Sequence, residues 1–297
     1  MDSGFSSTLA NTCRSVTETV RLAGWGKRRK IKQLMRIGPP PLIHPGARAI
    51  VVFSPKSACT SVVIWFLHQI GHAQRAREHH HWPHRYRIDL YYASEHYRDA
   101  CRLDLTDFRV VRVMRDSFDR AASSFRHLLR SRLPDETLAE LLGRSDAAET
   151  GVSFCEFLDM LERIDLTTCD EHHRIQRHPI EDLLPVTHLI NVSTEDLFVR
   201  LNQVEADLGL PITDFDELEW IHSLDRRRNR FDGKLNTADA YNVRLTRTNA
   251  RRGPWPPYRA LLTAPARERI ARLYAVDIAA YGQSSAMAPA PGRSIRG

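Results

Sequence analysis

Ala49-Ile50-Val51-Val52-Phe53-Ser54-Pro55-Lys56-Ser57-Ala58-Cys59-Thr60-Ser61, running on into Val62-Val63-Ile64-Trp65-Phe66-Leu67, sets the architecture of this chain. Ala49–Phe53 is a short apolar run rich in β-branched residues and closed by a Ser-Pro turn signal, so it reads as a buried strand. The small and polar residues Ser54 to Cys59 form a tight turn. From Thr60 to Ile70 the apolar run is long enough to read as a helix.

A second stretch, Phe108 to Arg126, repeats the pattern. Arg109–Met114 reads as a strand, Arg115-Asp116 as the turn, and Ser117–Arg130 as an amphipathic helix. Further along, Tyr86–Tyr92 and Thr187–Val192 carry strand patterns, while Phe154–Ile164 and Ala264–Tyr281 carry helical ones. Such alternation predicts an α/β fold with a parallel sheet flanked by helices. Ligands in such sheets lie beyond the carboxyl ends of the strands, where both turns fall.

Outside these stretches the chain divides into three parts. Residues 1–48 form a lead segment with the basic run Lys27-Arg28-Arg29-Lys30 and a Pro-rich close, Gly38-Pro39-Pro40-Pro41 and Pro45-Gly46. A short helix fits between Thr17 and Met35. Residues 49–282 carry the α/β pattern, and 283–297 form a Ser/Ala/Pro/Gly tail of disordered composition. No internal repeat is present.

The 297 residues suffice for a full core, and the formal charge of +7 favours anionic partners. No apolar run reaches the roughly 20 residues needed to span a bilayer. The first fifteen residues lack the apolar stretch of a secretory signal. Cys13, Cys59, Cys101, Cys155 and Cys169 are an odd, scattered set, which suits reduced thiols rather than a disulfide scaffold. A cytoplasmic protein with no membrane span is expected.

The first turn has the makings of an anion site. The free N–H groups of a helix's first turn, together with its dipole, attract negative charge. Ser57 and Ala58 are small enough to let an anion approach, Cys59 begins the helix, Thr60 and Ser61 bring hydroxyls, and Lys56 brings a mobile charge. This is not a Walker A loop, because Lys56 opens the turn and no G-x-x-x-x-G-K-[ST] exists. In the second stretch Arg115 ends a strand at the same sheet edge. Ser123 lies eight residues on, about two helical turns, and Arg126 shares its face. An arginine with a hydroxyl suits a terminal phosphate, since guanidinium binds two oxygens at once. Taken singly, each stretch could be an ordinary strand–turn–helix with solvated side chains.

Paired at one edge, the two sites match a nucleotide carrying a 5′-phosphosulfate and a 3′-phosphate. Pro55-Lys56-Ser57-Ala58-Cys59-Thr60-Ser61 resembles the 5′-phosphosulfate loop of sulfotransferases that use 3′-phosphoadenosine 5′-phosphosulfate (PAPS). The likeness is greatest to the carbohydrate branch with the chondroitin 4-O- and HNK-1 carbohydrate sulfotransferases, whose loop reads P-K-x-A-C-T. Arg115-Asp116-Ser117-Phe118-Asp119-Arg120 through Ser123 and Arg126 resembles their 3′-phosphate segment, R-x-P-F-x-R-x-x-S-x-x-R. Weaker likenesses are Asp170 to Gln176 with H-W-x-P-Q, Glu195-Asp196-Leu197 with Y-E-x-L, and Ile270 to Tyr281 with the closing helix. Ser117 replaces the usual proline, and His173 and Ile175 replace Trp and Pro.

The resemblance spans about residues 49–282. It implies a P-loop-like sulfotransferase fold and transfer of a sulfuryl group from PAPS to a hydroxyl, with adenosine 3′,5′-bisphosphate as product. It points to a carbohydrate or glycolipid acceptor. Trp82, Tyr91, Tyr92 and Trp255 could stack on a sugar or belong to the core. Lys56 would neutralise charge on the bridging oxygen, with Arg115 and Ser123 on the 3′-phosphate. Arg251-Arg252-Gly253 faintly resembles a third cofactor segment, R-K-G, and reads equally as a basic turn.

Histidine is the usual base near neutral pH, and the chain offers His79, His80, His81, His84, His96, His172 and His173. If Tyr86–Tyr92 is a parallel strand, His96 lies past its carboxyl end, which places it first and His84 second. A plain helix-surface histidine is the competing reading. Neither His79 to His84 nor the set Cys155, Cys169, His172 and His173 has the paired spacing of a structural zinc site, so no metal is expected. Two other functions fit the composition. An ATP-dependent small-molecule kinase would show Walker A. A basic nucleic-acid binder would use runs such as Arg226-Arg227-Arg228-Asn229-Arg230, but leaves unexplained why Lys56 and Arg115 each follow a strand.

Overall fold

The computed structural model describes residues 26–131, 133–221, 223 and 239–282. Four strands, β1 (Leu42–His44), β2 (Ala49–Phe53), β3 (Arg109–Met114) and β4 (Val186–Asn191), form one sheet in sequence order. β2 and β3 run parallel, with Ala49 opposite Arg109 and Phe53 opposite Val113. β4 is parallel to β3, with a register shift between Val110 and Val111. β1 is antiparallel to β2, pairing Leu42 with Val51. The protein is thus mixed α/β with a mostly parallel sheet, and the expected parallel set gains an antiparallel edge.

All five side chains of β2 are buried, as are five of the six in β3. Strands buried on both faces need helices on both sides, which is why they read as continuous apolar runs instead of alternating ones. The described helices that matter here are α1 (Cys59–Gln69), α2 (Glu95–Arg102), α3 (Ser117–Arg130), α4 (Phe154–Arg163), α5 (Leu197–Leu208), α6 (Ala264–Leu273) and α7 (Ala275–Tyr281). Every residue of α1 from Thr60 to Leu67 is buried. One apolar cluster joins the sheet to α1, α2 and α5; a second joins α3, α4 and α6. Within the second, Phe125 lies 5.4 Å from the rings of Phe154, Phe157 and Trp255.

Part of the lead segment packs against the sheet. Residues 26–34 are helical, and Ile31 and Met35 belong to the same buried cluster as Leu42 and Ile43 of β1. The described part of the lead segment is therefore built into the fold. The predicted helix is observed from 26 onward; its first part, like the tail 283–297 and the run Arg226 to Arg230, lies outside the described residues.

The strand expected at Tyr86–Tyr92 is also corrected. Pro83–Tyr86 is a helical turn that continues into a π-helix, Arg87–Tyr91. The alternation Tyr86, Ile88, Leu90, Tyr92 imitates a strand, yet Ile88 is 51% exposed while Arg87 is buried. The buried positions Pro83, His84, Tyr86, Arg87 and Tyr91 follow helical spacing. At the C-terminal end, Ala264–Tyr281 is two helices, broken at Tyr274, whose hydroxyl donates to the His173 carbonyl at 2.7 Å.

Candidate functional site

Because β2 and β3 are adjacent and parallel, with Phe53 beside Val113, the turns after them emerge side by side. The first turn carries strain. Lys56 and Ala58 both take positive φ, 71° and 56°, a conformation that costs a non-glycine residue on the order of 1–3 kcal/mol. The turn is held by its own hydroxyls: Ser54 Oγ and Ser57 Oγ lie 3.0 Å apart, and both donate to Gln176 Oε1, at 3.1 and 3.0 Å. Arg120 of α3 holds it from the other side, its Nε donating to the Pro55 carbonyl at 3.2 Å.

α1 starts directly after this turn. Its N-cap, Ala58, supplies no side-chain cap, and the first turn holds no acidic residue. The N–H groups of Cys59, Thr60 and Ser61 therefore lack intrahelical acceptors and carry the positive end of the dipole. Lys56 and Cys59 are half-buried, and Ser57, Thr60 and Ser61 are buried. All the residues named for the first anion site thus stand together.

The second segment joins the first. Arg115 Nη1 donates to the Lys56 carbonyl at 3.4 Å, and its guanidinium lies 5.5 Å over the Tyr258 ring. Gln176, buried between the segments, accepts the Arg115 amide hydrogen at 3.0 Å and donates to the Arg115 carbonyl at 2.8 Å. Gln176 is itself fixed: Asp277 of α7 accepts its backbone N–H at 2.8 Å, and Arg112 donates to its carbonyl. Burial lowers the pKa of Arg120 and raises that of Asp116, whose carboxylate nevertheless caps α3 by accepting from Phe118 and Asp119.

Ser123 is buried on α3, and its hydroxyl makes no hydrogen bond among the described residues. Arg126, on the same helix, donates from Nε to the Ala250 carbonyl at 3.3 Å and packs over Trp255. Arg251 is not brought to Arg115. Its Nη2 donates to the Ser131 carbonyl at 3.3 Å, beyond the far end of α3, about 20 Å along a helix of this length. Arg252 is exposed and Gly253 follows it, where an added Cβ would meet Asn249 Cα at 3.0 Å.

The two ranked histidines separate. His96 is an exposed residue of α2, its ring 5.9 Å from that of His72, and the strand that would have carried it to the ligand edge does not exist. His84, 6% exposed, is at the site: its Nε2 is 3.5 Å from Thr60 Oγ1 and its ring 5.1 Å from Trp82. Of the four aromatics, Tyr91 and Trp255 are core, Tyr92 is half-buried, and Trp82 is 44% exposed.

Sequence reasoning named His172 and His173 among the candidate bases, but singled out neither Gln176 nor Arg120 as a site residue, nor the contacts that His127 and Asp170 make with His172. His172 Nδ1 lies 2.8 Å from Asp170 Oδ1, and the His172 ring stacks on His127 at 3.7 Å. Burial first, then the charges of His172 and Lys56, lowers the His127 pKa to about 3. Burial also lowers His173 to about 4 against the opposing pull of Asp170. A further local signal was the segment Asp170 to Gln176, which resembles H-W-x-P-Q. Among the described residues, no group of three or more His, Cys, Asp or Glu is placed to hold a metal ion. No described helix is long and apolar enough to cross a membrane.

No family model, curated protein or solved structure matches the chain.

Proposed function

We propose that this protein transfers a sulfuryl group from PAPS to the hydroxyl of a carbohydrate or glycolipid acceptor, and that its sheet and loops are those of a P-loop-like sulfotransferase. The observation that carries the reading is the bond between the two anion-binding segments. Arg115 reaches the Lys56 carbonyl, and Gln176 ties both segments into one edge beside an uncapped helix N-terminus.

The residues present fit such a donor. An uncapped α1 with no acid in its first turn offers N–H groups to a 5′-phosphosulfate. Arg115 and the Ser123 hydroxyl are the groups assigned to a second, 3′-terminal phosphate. When bound, PAPS supplies an activated sulfuryl group on a good leaving group. Lys56 neutralises charge that builds on the bridging oxygen, and the loop amides need no reorganisation as it builds. Thr60, beside His84, holds the reacting end. The site acts mainly by positioning and charge stabilisation. Trp82, 44% exposed next to His84, supports this reading, since an exposed indole can stack on a sugar ring.

Calorimetry with adenosine 3′,5′-bisphosphate, using ADP as control, tests this. Micromolar binding that requires the 3′-phosphate and disappears in Lys56→Ala/Arg115→Ala supports the reading. Equal binding of ADP, or none of either, removes it and returns the kinase or nucleic-acid reading.

A further inference from the structure

The group around His172 has an asymmetry that assigns a role. Asp170 Oδ1 accepts the His172 backbone N–H at 2.8 Å and lies 2.8 Å from its Nδ1. The carboxylate is held well below its usual pKa, first by the His172 side chain. An ionised carboxylate at Nδ1 selects the tautomer with the proton there and leaves the lone pair on Nε2. Nε2 has no hydrogen-bond partner among the described residues.

The neighbouring imidazoles are unsuited to take a proton. His127, stacked on His172 from α3, and His173, whose Nδ1 is 2.6 Å from Ser124 Oγ, are both held neutral chiefly by burial. Arg120 ties the phosphate loop to this segment, its Nε donating to the Pro55 carbonyl at 3.2 Å and its Nη2 to the Glu171 carbonyl at 3.3 Å, and the Lys56 ammonium adds to the effect on both rings. Lys56 from the loop, His127 and Arg120 from α3, and Asp170, Glu171 and His173 from its own segment are the charged or titratable groups facing this segment. Of these, Asp170 is the one in hydrogen-bond contact with the His172 ring. His84, by contrast, is buried with Nε2 3.5 Å from Thr60 Oγ1, and His96 is exposed on α2 with its ring beside that of His72.

We propose that His172, oriented by Asp170, is the general base of this site. The inference rests on the donor reading above. As the acceptor oxygen bonds to sulfur, its proton passes to His172 Nε2. The bond from sulfur to the 5′-phosphate oxygen breaks, and its electron pair leaves with adenosine 3′,5′-bisphosphate beside Lys56. Asp170 stabilises the imidazolium, as a carboxylate does in any oriented His–Asp pair. The side chain of His172 is 27% exposed, so the proton has a path to solvent.

The test uses the full chain and water as the acceptor probe, following PAPS hydrolysis and, separately, bisphosphate binding by calorimetry. His172→Gln lowers kcat by about 100-fold or more, the range of a lost general base, while the bisphosphate Kd stays within about threefold, well inside one tenfold step of affinity. Asp170→Asn lowers kcat less and moves the acid limb of the kcat–pH profile to lower pH, because the imidazolium loses its partner. In His172→Gln that limb vanishes; His96→Gln changes nothing. Wild-type turnover in His172→Gln, a persisting acid limb, or bisphosphate binding with no donor hydrolysis in the wild type overturns the assignment while leaving the donor site standing. Absence of bisphosphate binding overturns the donor reading itself, and this one with it.

Discussion

Gln176 and Arg115 exchange two hydrogen bonds across 61 residues of chain: Gln176 Oε1 accepts the Arg115 amide hydrogen at 3.0 Å, and its Nε2 donates to the Arg115 carbonyl at 2.8 Å. The same Oε1 receives the hydroxyls of Ser54 and Ser57. One side-chain amide thus sets the distance between the turn after β2 and the turn after β3. A buried amide can do this because its acceptor and donor ends are both satisfied, and leaving either unpaired would be costly.

Gln176→Ala therefore loosens both turns at once. It leaves two buried hydroxyls and one amide without their acceptor, at about 1–3 kcal/mol for each group that finds no substitute. Bisphosphate affinity falls about tenfold or more, since the turns must then be ordered on binding. Calorimetry and thermal unfolding read the two effects; unchanged affinity would show that the turns keep their spacing without Gln176.

Arg115→Lys separates charge from geometry. A lysine keeps the cation but loses the planar fork that spans two phosphate oxygens. The variant should lose about tenfold in affinity for adenosine 3′,5′-bisphosphate, the worth of about 1.4 kcal/mol, while adenosine 5′-phosphosulfate, which lacks the 3′-phosphate, binds as to the wild type. Equal losses for both ligands would move Arg115 away from the 3′-phosphate.

Glu205 tests the core instead of the site. Its carboxylate, fully buried on α5, accepts from Trp65 Nε1 at 2.7 Å, from Gln69 Nε2 at 2.5 Å and from the Thr213 N–H at 2.9 Å. Glu205→Ala strips these donors of their acceptor and should destabilise the protein by about 3 kcal/mol or more, from about 1–3 kcal/mol per stranded buried group. Urea unfolding measures it. A loss below about 1 kcal/mol would mean that water replaces the carboxylate.

Stability should depend on pH through His178. Burial lowers its pKa to about 4, with the carbonyl of Ile37 opposing and Arg112 assisting. Its Nδ1 accepts from the Ile180 N–H at 3.1 Å and its Nε2 lies 3.2 Å from the Ile37 carbonyl, an arrangement that only the neutral ring satisfies. Since the folded pKa lies below the unfolded value of about 6.5, the unfolded chain binds the extra proton between them. The stabilising contribution is complete above about pH 6.5 and is lost as pH falls towards 4. His173, lowered to about 4 mainly by burial, adds in the same direction. Urea unfolding at a series of pH values should show a slope across this window that shrinks in His178→Gln; an equal slope in the variant would assign the effect elsewhere.

The elements that follow from local pattern were legible. β2 and β3 match their expected bounds, α3 begins and ends where its amphipathic run does, and α1 is displaced by one residue at each end. Strand, turn and helix there are each set by side chains within a few positions, through burial on both faces of a strand or helical period on one side. Tyr86–Tyr92 failed for a related reason: its alternation is genuine, but tertiary packing buries Arg87 beneath Phe53 and Tyr92 and leaves Ile88 in solvent. A pattern of period 2 says nothing about which neighbours will cover it.

The placing of Lys56 to Ser61 and Arg115 in two turns at one sheet edge was readable because a helix N-terminus and a strand end are local features. The partners of those residues were not. Gln176 meets Ser54 across 122 positions, Asp277 meets Gln176 across 101, and His127 meets His172 from a different helix. Sequence sufficed for the strand–turn–helix units and the charge they present, since both arise from short-range sterics and periodicity. The contacts that distinguish the seven histidines, and the side-chain amide that spaces the two turns, came only with the folded chain, because hydrogen bonds and ring contacts between remote segments depend on how helices pack against the sheet.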